Sequence, residues 1–194
     1  FYNSTSAATV VIENSHLHTV GQFMVWAQGS KTKKVILRSN IIDGSTCGAV
    51  TNENAALFRV RSGSLEAYDN LFVGDSLNAP GYFELSDTNG KSIVKYNTFD
   101  GVSKYLFTSK DNNAVFDENL YLDFNGNPMA TVPSELTANG LTVDATICAN
   151  EEDRAARYNK VLLELYPDRY FKVTYELNGG ELTSPAVQVY DKEA

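Results

Sequence analysis

A pattern centred on asparagine recurs five times before residue 127 and constrains the fold more than any other feature. An apolar residue lies three positions before each asparagine, and a large apolar residue lies two positions after it in four copies. The gap-free segments are VVIENSHLHTVG (10–21), ILRSNIIDG (36–44), EAYDNLFVG (66–74), IVKYNTFDG (93–101) and VFDENLYLDFNG (115–126). Their central residues are Asn14, Asn40, Asn70, Asn97 and Asn119. Units of 22–30 residues bury their apolar face only by stacking on neighbouring units.

Each repeat also carries a second segment in which apolar and polar residues alternate before a polar turn. These segments are FMVWAQG (23–29), LFRVRSG (57–63), YFELSDTNG (82–90) and YLFTSKDNN (105–113). This pattern is typical of a half-buried strand followed by a turn. We expect the asparagines to form one column, because Asn tolerates a left-handed bend and its amide can bond the equivalent amide on the next repeat. The repeats predict an all-β fold of short parallel strands in about five coils.

Residues 1–126 resemble the right-handed parallel β-helix superfamily in this pattern. That superfamily includes pectate lyase-like and chondroitinase B-like enzymes and many bacterial surface proteins. The resemblance implies a right-handed parallel β-helix. It implies no single function, because the scaffold hosts lyases, hydrolases, epimerases and adhesins.

The period is lost in residues 127–168, which we expect to form a loop and a helix near 151–165. Asn150 is a suitable N-cap, the first turn is acidic, and Pro167 ends the helix. The residues on its apolar face are Ala155, Tyr158, Leu162 and Leu165. We expect this helix to pack over the last coil and cap the open end of the β-helix.

Residues 169–194 are interpreted as the start of a third unit. The run VTYELNGG (173–180) resembles the opening strand and turn of an internalin-type B-repeat. Those β-rich modules are often arrayed on bacterial surface proteins, so the resemblance implies an extracellular or cell-surface location. Asn-Gly beside alternating apolar residues is also a general hairpin signal. The chain starts without Met, and we expect it to be a piece of a longer secreted protein.

Charge and composition argue against several classes of partner. The net charge of −8 disfavours nucleic acid and anionic membrane surfaces, which require a basic patch. No apolar run approaches the roughly 20 residues that span a bilayer, so we expect no membrane insertion. Cys47 and Cys148 are too few for a zinc site and are interpreted as buried thiols, with a disulfide left open. Asp43 and Asp100 are separated by Val73 in the same repeat position, so we predict no metal and no cofactor.

Two sets of basic residues are candidate substrate-binding residues. Arg38, Tyr68 and Lys95 each lie two positions before an asparagine, as do Ile12 and Asp117, and stacking would place all five on successive rungs about 4.8 Å apart. Two cations beside an aromatic ring suit an acidic sugar. In the second segments we expect Leu57, Arg59 and Arg61 to point outward, with Arg59 one rung from Glu84. The alternative is a surface ladder of ion pairs, Arg59 with Glu84 and Lys95 with Asp117, each contributing about 0–1 kcal/mol.

Two classes of function remain open from the sequence. The first is a carbohydrate-binding or adhesive surface module, which we expect to be monomeric and to bind a polysaccharide or surface glycan. The second is the C-terminal part of a polysaccharide lyase or glycoside hydrolase acting on acidic polysaccharide. No compact catalytic motif is present, so no catalytic residue is assigned. His16 occupies the repeat position that Ile42, Phe72, Phe99 and Tyr121 fill elsewhere, and it is interpreted as a packed or a terminal-coil histidine.

Overall fold

The computed structural model describes residues 2–3, 8–18, 24–27, 34–44, 56–61, 63–74, 81–85, 92–101, 105–107, 114–131, 146–174 and 187–191. Cys47 and the Asn-Gly turn at 178–179 lie outside these ranges. The chain forms two compact units, residues 1–154 and 155–194.

Fifteen short strands of the described part of the first unit lie in three parallel sheets. The first sheet contains β1 (Tyr2–Asn3), β4 (Val25–Ala27), β7 (Ala56–Val60), β10 (Gly81–Leu85) and β13 (Tyr105–Phe107). The second contains β2 (Thr9–Glu13), β5 (Lys34–Arg38), β8 (Ser64–Tyr68), β11 (Ile93–Lys95) and β14 (Val115–Asp117). The third contains β3 (His16–Leu17), β6 (Ile41–Asp43), β9 (Leu71–Val73), β12 (Thr98–Asp100) and β15 (Leu120–Leu122).

Each of the first twelve strands pairs with the strand that comes three places later in the chain. Three consecutive strands therefore give one strand to each sheet, and we call such a set a rung. The predicted mostly-β architecture of short parallel strands followed by one helix is confirmed.

Four of the five predicted asparagines form a continuous hydrogen-bonded ladder. The side-chain amide of Asn40 donates to Asn70 Oδ1 at 2.9 Å, Asn70 donates to Asn97 at 2.9 Å, and Asn97 donates to Asn119 at 3.0 Å. All four side chains are buried. In each rung the chain turns between the second and third sheets. The ladder gives hydrogen-bond partners to buried polar groups that would otherwise lack them at these turns.

Asn14 does not belong to this column, and the expected alignment of the first repeat is wrong by one residue. Glu13, not Ile12, pairs with Arg38, and the backbone N–H of Ser15 donates to Asn40 Oδ1 at 3.0 Å. Leu17 rather than His16 therefore fills the inward position beside Ile42, and His16 is exposed. A slip of one residue exchanges the two faces of a strand.

The left-handed bend also lies elsewhere than expected. In the later repeats it falls on the residue before the ladder asparagine, namely Ser39, Asp69, Tyr96 and Glu118, with φ of 52° to 58°. Asn14, with φ of 49°, occupies this position in the first repeat. The ladder asparagines therefore serve as hydrogen-bonding residues and not as the left-handed ones.

Stacked side chains in equivalent positions fill the space between the sheets. The rings of Phe72 and Phe99 stack at 4.7 Å, and those of Phe99 and Tyr121 stack at 5.2 Å, both within 8° of parallel. The predicted positions three before the ladder asparagines are also buried; they are Leu37, Ala67, Val94 and Phe116. The apolar pattern of these four repeats is confirmed.

Two segments after the fifth rung continue its pairing. Met129 N–H donates to Tyr121 O at 2.8 Å, and Cys148 N–H donates to Asn119 O at 2.9 Å. Met129 and Ile147 pack against the core. Cys148 is buried, as predicted, and its thiol donates to Glu118 O. Within the described residues, these two segments satisfy backbone groups at the open edge of the fifth rung.

The helix α1 (Glu151–Leu165) begins where the sequence predicts. Asn150 Oδ1 accepts the N–H of Asp153 at 2.9 Å, and Asp153 Oδ2 accepts the N–H of Ala149 at 3.0 Å. The first bond satisfies a free N–H of the first helical turn, and the second holds the residue that precedes the N-cap. Tyr158 and Leu162 are buried, and their packing over the last coil stays a prediction. In the second unit, β16 (Tyr170–Thr174) pairs with β17 (Val187–Asp191) in an antiparallel ribbon.

Candidate functional site

The structure brings the first predicted set of candidate residues together on the second sheet, and we call Arg38, Tyr68 and Lys95 the ridge. Arg38 pairs with Tyr68, Tyr68 with Lys95, and Lys95 with Asp117 on successive rungs. The expected order is thus confirmed for these four residues, whereas Glu13 takes the place expected for Ile12. Their binding role stays a prediction.

Carboxylates on neighbouring rungs hold the cations of this ridge. Arg38 Nε donates to Glu13 Oε2 at 2.8 Å, and only 11% of the Arg38 side chain is exposed. Lys95 Nζ lies 2.9 Å from Asp117 Oδ2 and 3.4 Å from Glu118 Oε2. Tyr68, between them, is buried. The ridge is therefore a charge-matched ladder in which the predicted Lys95–Asp117 pair is present.

Lys95 is held in its protonated form by this arrangement. Burial lowers the pKa of Lys95, but the hydrogen bond to Asp117 and the charges of Asp117 and Glu118 outweigh burial and raise that pKa above its ordinary value. A general base must release its proton near the working pH. Lys95 is consequently suited to hold charge and unsuited to abstract a proton.

The second predicted basic set lies on the first sheet and is more buried than expected. Arg59 pairs with Glu84 across adjacent rungs, as predicted, and its guanidinium lies 5.1 Å from the centre of the Trp26 ring. Arg61 Nε donates to Glu84 Oε1 at 2.8 Å. Arg59 and Glu84 are only 6% and 4% exposed. The expectation of a surface pair is wrong here, because the Trp26 ring and the neighbouring rung shield the charges from water.

Leu57 also departs from its expected outward orientation. It is fully buried and belongs to the apolar core. Strand β7 is buried along its whole length, so the alternation of its sequence does not separate a buried face from an exposed one.

A cleft that the sequence reasoning missed lies beside the turn between the second and third sheets. Its volume is about 310 Å³, and its walls include Ser39, Ile41, Asp69, Leu71, Thr98, Glu151 and Arg154. Ser39 and Asp69 directly follow the ridge residues Arg38 and Tyr68, so the cleft adjoins the ridge. The first turn of α1 closes one side of it.

Arg154 organises the polar wall of this cleft. Its guanidinium donates to Asp69 Oδ1 at 2.6 Å, to Tyr96 O at 2.5 Å and, through Nε, to Glu151 Oε1 at 2.9 Å. Arg154 is only 8% exposed. A nearly buried charge requires such partners, and together they fix both carboxylates in place.

Two hydroxyl groups complete the hydrogen bonding of these carboxylates. Ser39 Oγ donates to Asp69 Oδ2 and Thr98 Oγ1 donates to Glu151 Oε2, each at 2.8 Å. Burial raises the pKa of Glu151, but the bonds from Arg154 and Thr98 outweigh it and lower that pKa. Glu151 therefore stays ionised at neutral pH, which suits an acceptor and not a general acid.

One sequence signal pointed towards Arg154. It lies four residues before Tyr158 and eight before Leu162, on the apolar face of the helix. Arginine is rarely fully buried unless it is paired. A charged residue in that position therefore predicts a buried ion pair, although it does not identify the partner.

The described residues contain no group of three or more His, Cys, Asp or Glu side chains placed to hold a metal ion. No helix in the described part of the chain is long and apolar enough to cross a membrane.

No protein-family model, no curated protein and no solved structure matches the chain. Its function is therefore inferred from the geometry of its own residues.

Proposed function

We propose that the chain is part of a secreted bacterial surface protein, in which a right-handed parallel β-helix serves carbohydrate binding or adhesion without catalysis. The three parallel sheets, each built from every third strand in chain order, support a helical winding of about five coils. The location proposed is extracellular or at the cell surface. The partner proposed is a polysaccharide or surface glycan.

The observation that carries the non-catalytic proposal is the matching of charges along the ridge. Arg38 has Glu13, and Lys95 has Asp117 and Glu118, on adjacent rungs. Proton abstraction beside a uronate carboxylate requires a base of lowered pKa and a second positive group. The pKa of Lys95 is raised, and arginine stays protonated in nearly all surroundings. Both features favour binding of a glycan over its cleavage.

The sheet geometry favours an elongated ligand. Rungs about 4.8 Å apart place partly exposed polar side chains, such as those of Glu66 and Lys95, on successive strands of the second sheet. A polysaccharide offers hydroxyl groups at regular intervals along its length, so successive rungs can bind successive parts of one chain. The alternative, part of a lyase or hydrolase acting on acidic polysaccharide, has no comparable support from this surface.

An immobilised-glycan array of neutral, amino and acidic polysaccharides tests the proposal. We expect the full chain to retain a defined subset of glycans, and Lys95→Gln to weaken retention at least threefold. The matched control is Lys160→Gln, an exposed lysine on α1, which is expected to leave retention unchanged. Absence of retention above an unrelated acidic β-rich protein would overturn the proposal.

A further inference from the structure

The polar side chains of the cleft beside Arg154 hold one another in place through hydrogen bonds. Asp69 and Glu151 are fixed by the same guanidinium, and each also accepts a hydroxyl hydrogen bond, from Ser39 and Thr98 respectively. A site whose polar groups are held in place loses less conformational entropy on binding. This rigidity distinguishes the cleft from a gap between mobile surface side chains.

The charge of the cleft selects among ligands. Its polar wall has two carboxylates and one guanidinium, and the guanidinium already donates to three acceptors. An anionic ligand would meet a net negative wall with its one cation engaged. A ligand with hydroxyl groups can donate to the remaining lone pairs of the carboxylates, since an ionised carboxylate offers about four acceptor positions.

Two aliphatic side chains also line the cleft. Ile41 is 45% exposed, and Leu71 is half-buried beside it in the third sheet. Hydroxyl-binding groups and aliphatic side chains lining one cleft match a pyranose ring, which has polar edges and C–H faces. The volume of about 310 Å³ is at the lower end of ligand pockets and suits one or two sugar units.

We propose that this cleft binds a neutral sugar unit, with Asp69 and Glu151 accepting its hydroxyl groups and Ile41 and Leu71 contacting its C–H face. This site rests on the proposed carbohydrate-binding function and assigns its position and its preference. A longer glycan lying along the second sheet would place one unit in the cleft, because Ser39 and Asp69 directly follow strands β5 and β8 of that sheet. Acidic sugars are rejected by the two carboxylates.

Titration calorimetry and saturation-transfer NMR on the full chain test this site with neutral hexoses and their disaccharides, glucosamine and glucuronate. We expect a neutral sugar to bind with a dissociation constant on the order of 1 mM, and glucuronate to bind at least tenfold more weakly. Ile41→Gln should weaken neutral-sugar binding about fivefold or more. Val11→Gln is the matched control, since Val11 is a 50% exposed aliphatic residue on strand β2 outside the cleft.

Asp69→Asn provides a second test, with an expected loss of tenfold or more, and circular dichroism verifies that each variant is folded. Equal binding of glucuronate, or tenfold tighter binding of glucosamine than of neutral sugars, would overturn the assignment of a neutral ligand. Neutral-sugar binding that persists unchanged in Ile41→Gln would overturn the cleft as the site and leave the carbohydrate-binding function standing. Absence of binding by any sugar or array glycan would overturn the function itself.

Discussion

Asn97 Oδ1 accepts two hydrogen bonds from Asn70, one from its backbone N–H and one from its side-chain amide, each 2.9 Å long. The Asn97 amide in turn donates to Ala67 O, Lys95 O and Asn119 Oδ1. One buried side chain therefore joins three successive rungs. The ladder fixes how the turns between the second and third sheets align from one rung to the next.

Asn97→Ala is expected to lower the free energy of unfolding by about 3 kcal/mol, because it leaves several buried polar groups of neighbouring rungs unpaired. Urea unfolding at neutral pH measures this change. Asn14→Gly is the contrasting variant and should alter stability by less than about 0.5 kcal/mol, since Asn14 lies at a left-handed position that glycine adopts readily. Equal losses in both variants would place Asn14 in the ladder and contradict the register described here.

Arg59→Ala should destabilise the protein by about 3–5 kcal/mol, because it leaves Glu84 with an incompletely paired charge in a buried position. The matched variant is Lys34→Ala, which removes a partner of Glu66 from a pair that is 37% and 23% exposed. Its expected cost is about 0–1 kcal/mol. Thermal or urea unfolding distinguishes the two, and similar small losses would show that the Arg59–Glu84 pair is solvated.

Gly74→Ala is expected to cost about 1–3 kcal/mol or more, because a Cβ at this position would overlap the buried hydroxyl of Tyr82. Tyr82→Phe in the same chain should restore part of the loss. Gly126→Ala provides the comparison, since a Cβ there meets no atom within 4 Å but the backbone φ is +78°. Tyr82→Phe should not relieve that backbone strain; equal rescue of both variants in a double-mutant cycle would refute the contact.

Glu151→Gln should make stability less sensitive to acid. The pKa of Glu151 is lowered in the folded state, so its contribution is present above its ordinary pKa of 4.5 and is lost as pH falls through the folded value. The wild type and the variant should therefore differ most near neutral pH, by less than about 1 kcal/mol, and converge as pH falls below the lowered folded-state pKa. Melting temperatures measured from neutral to acidic pH test this prediction, with the uncharged Asn159→Ala as the control. A stability difference between the wild type and Glu151→Gln that widens in acid would contradict the expected direction.

The sequence predicts much of the fold because inward positions repeat. Leu37, Val94 and Phe116 occupy equivalent places, and each proves buried. The same pattern misplaces the first repeat, because Asn14 has the right residue type one position too early. Asparagine suits both the ladder and the left-handed bend, so residue type alone does not separate these two roles.

The cleft is less accessible to sequence reasoning because it depends on long-range contacts. Arg154 forms an ion pair with Asp69, which lies 85 positions away in the chain. No periodic pattern in the sequence predicts which residue pairs with Arg154. The ion pair of Lys95 with Asp117 was predictable, since one rung separates them in a regular stack. The burial of Arg59 was not, because it depends on Trp26 covering the guanidinium from the rung before.

An ultraviolet assay for unsaturated product tests most directly whether this chain binds carbohydrate without cleaving it. The substrates are pectate, alginate, chondroitin and every glycan that the array retains, with and without calcium, and reducing-end analysis detects hydrolysis in the same samples. We expect retention of glycan with no product above the rate without protein. Clear turnover by the wild type that disappears in Lys95→Ala would contradict it and establish an enzyme.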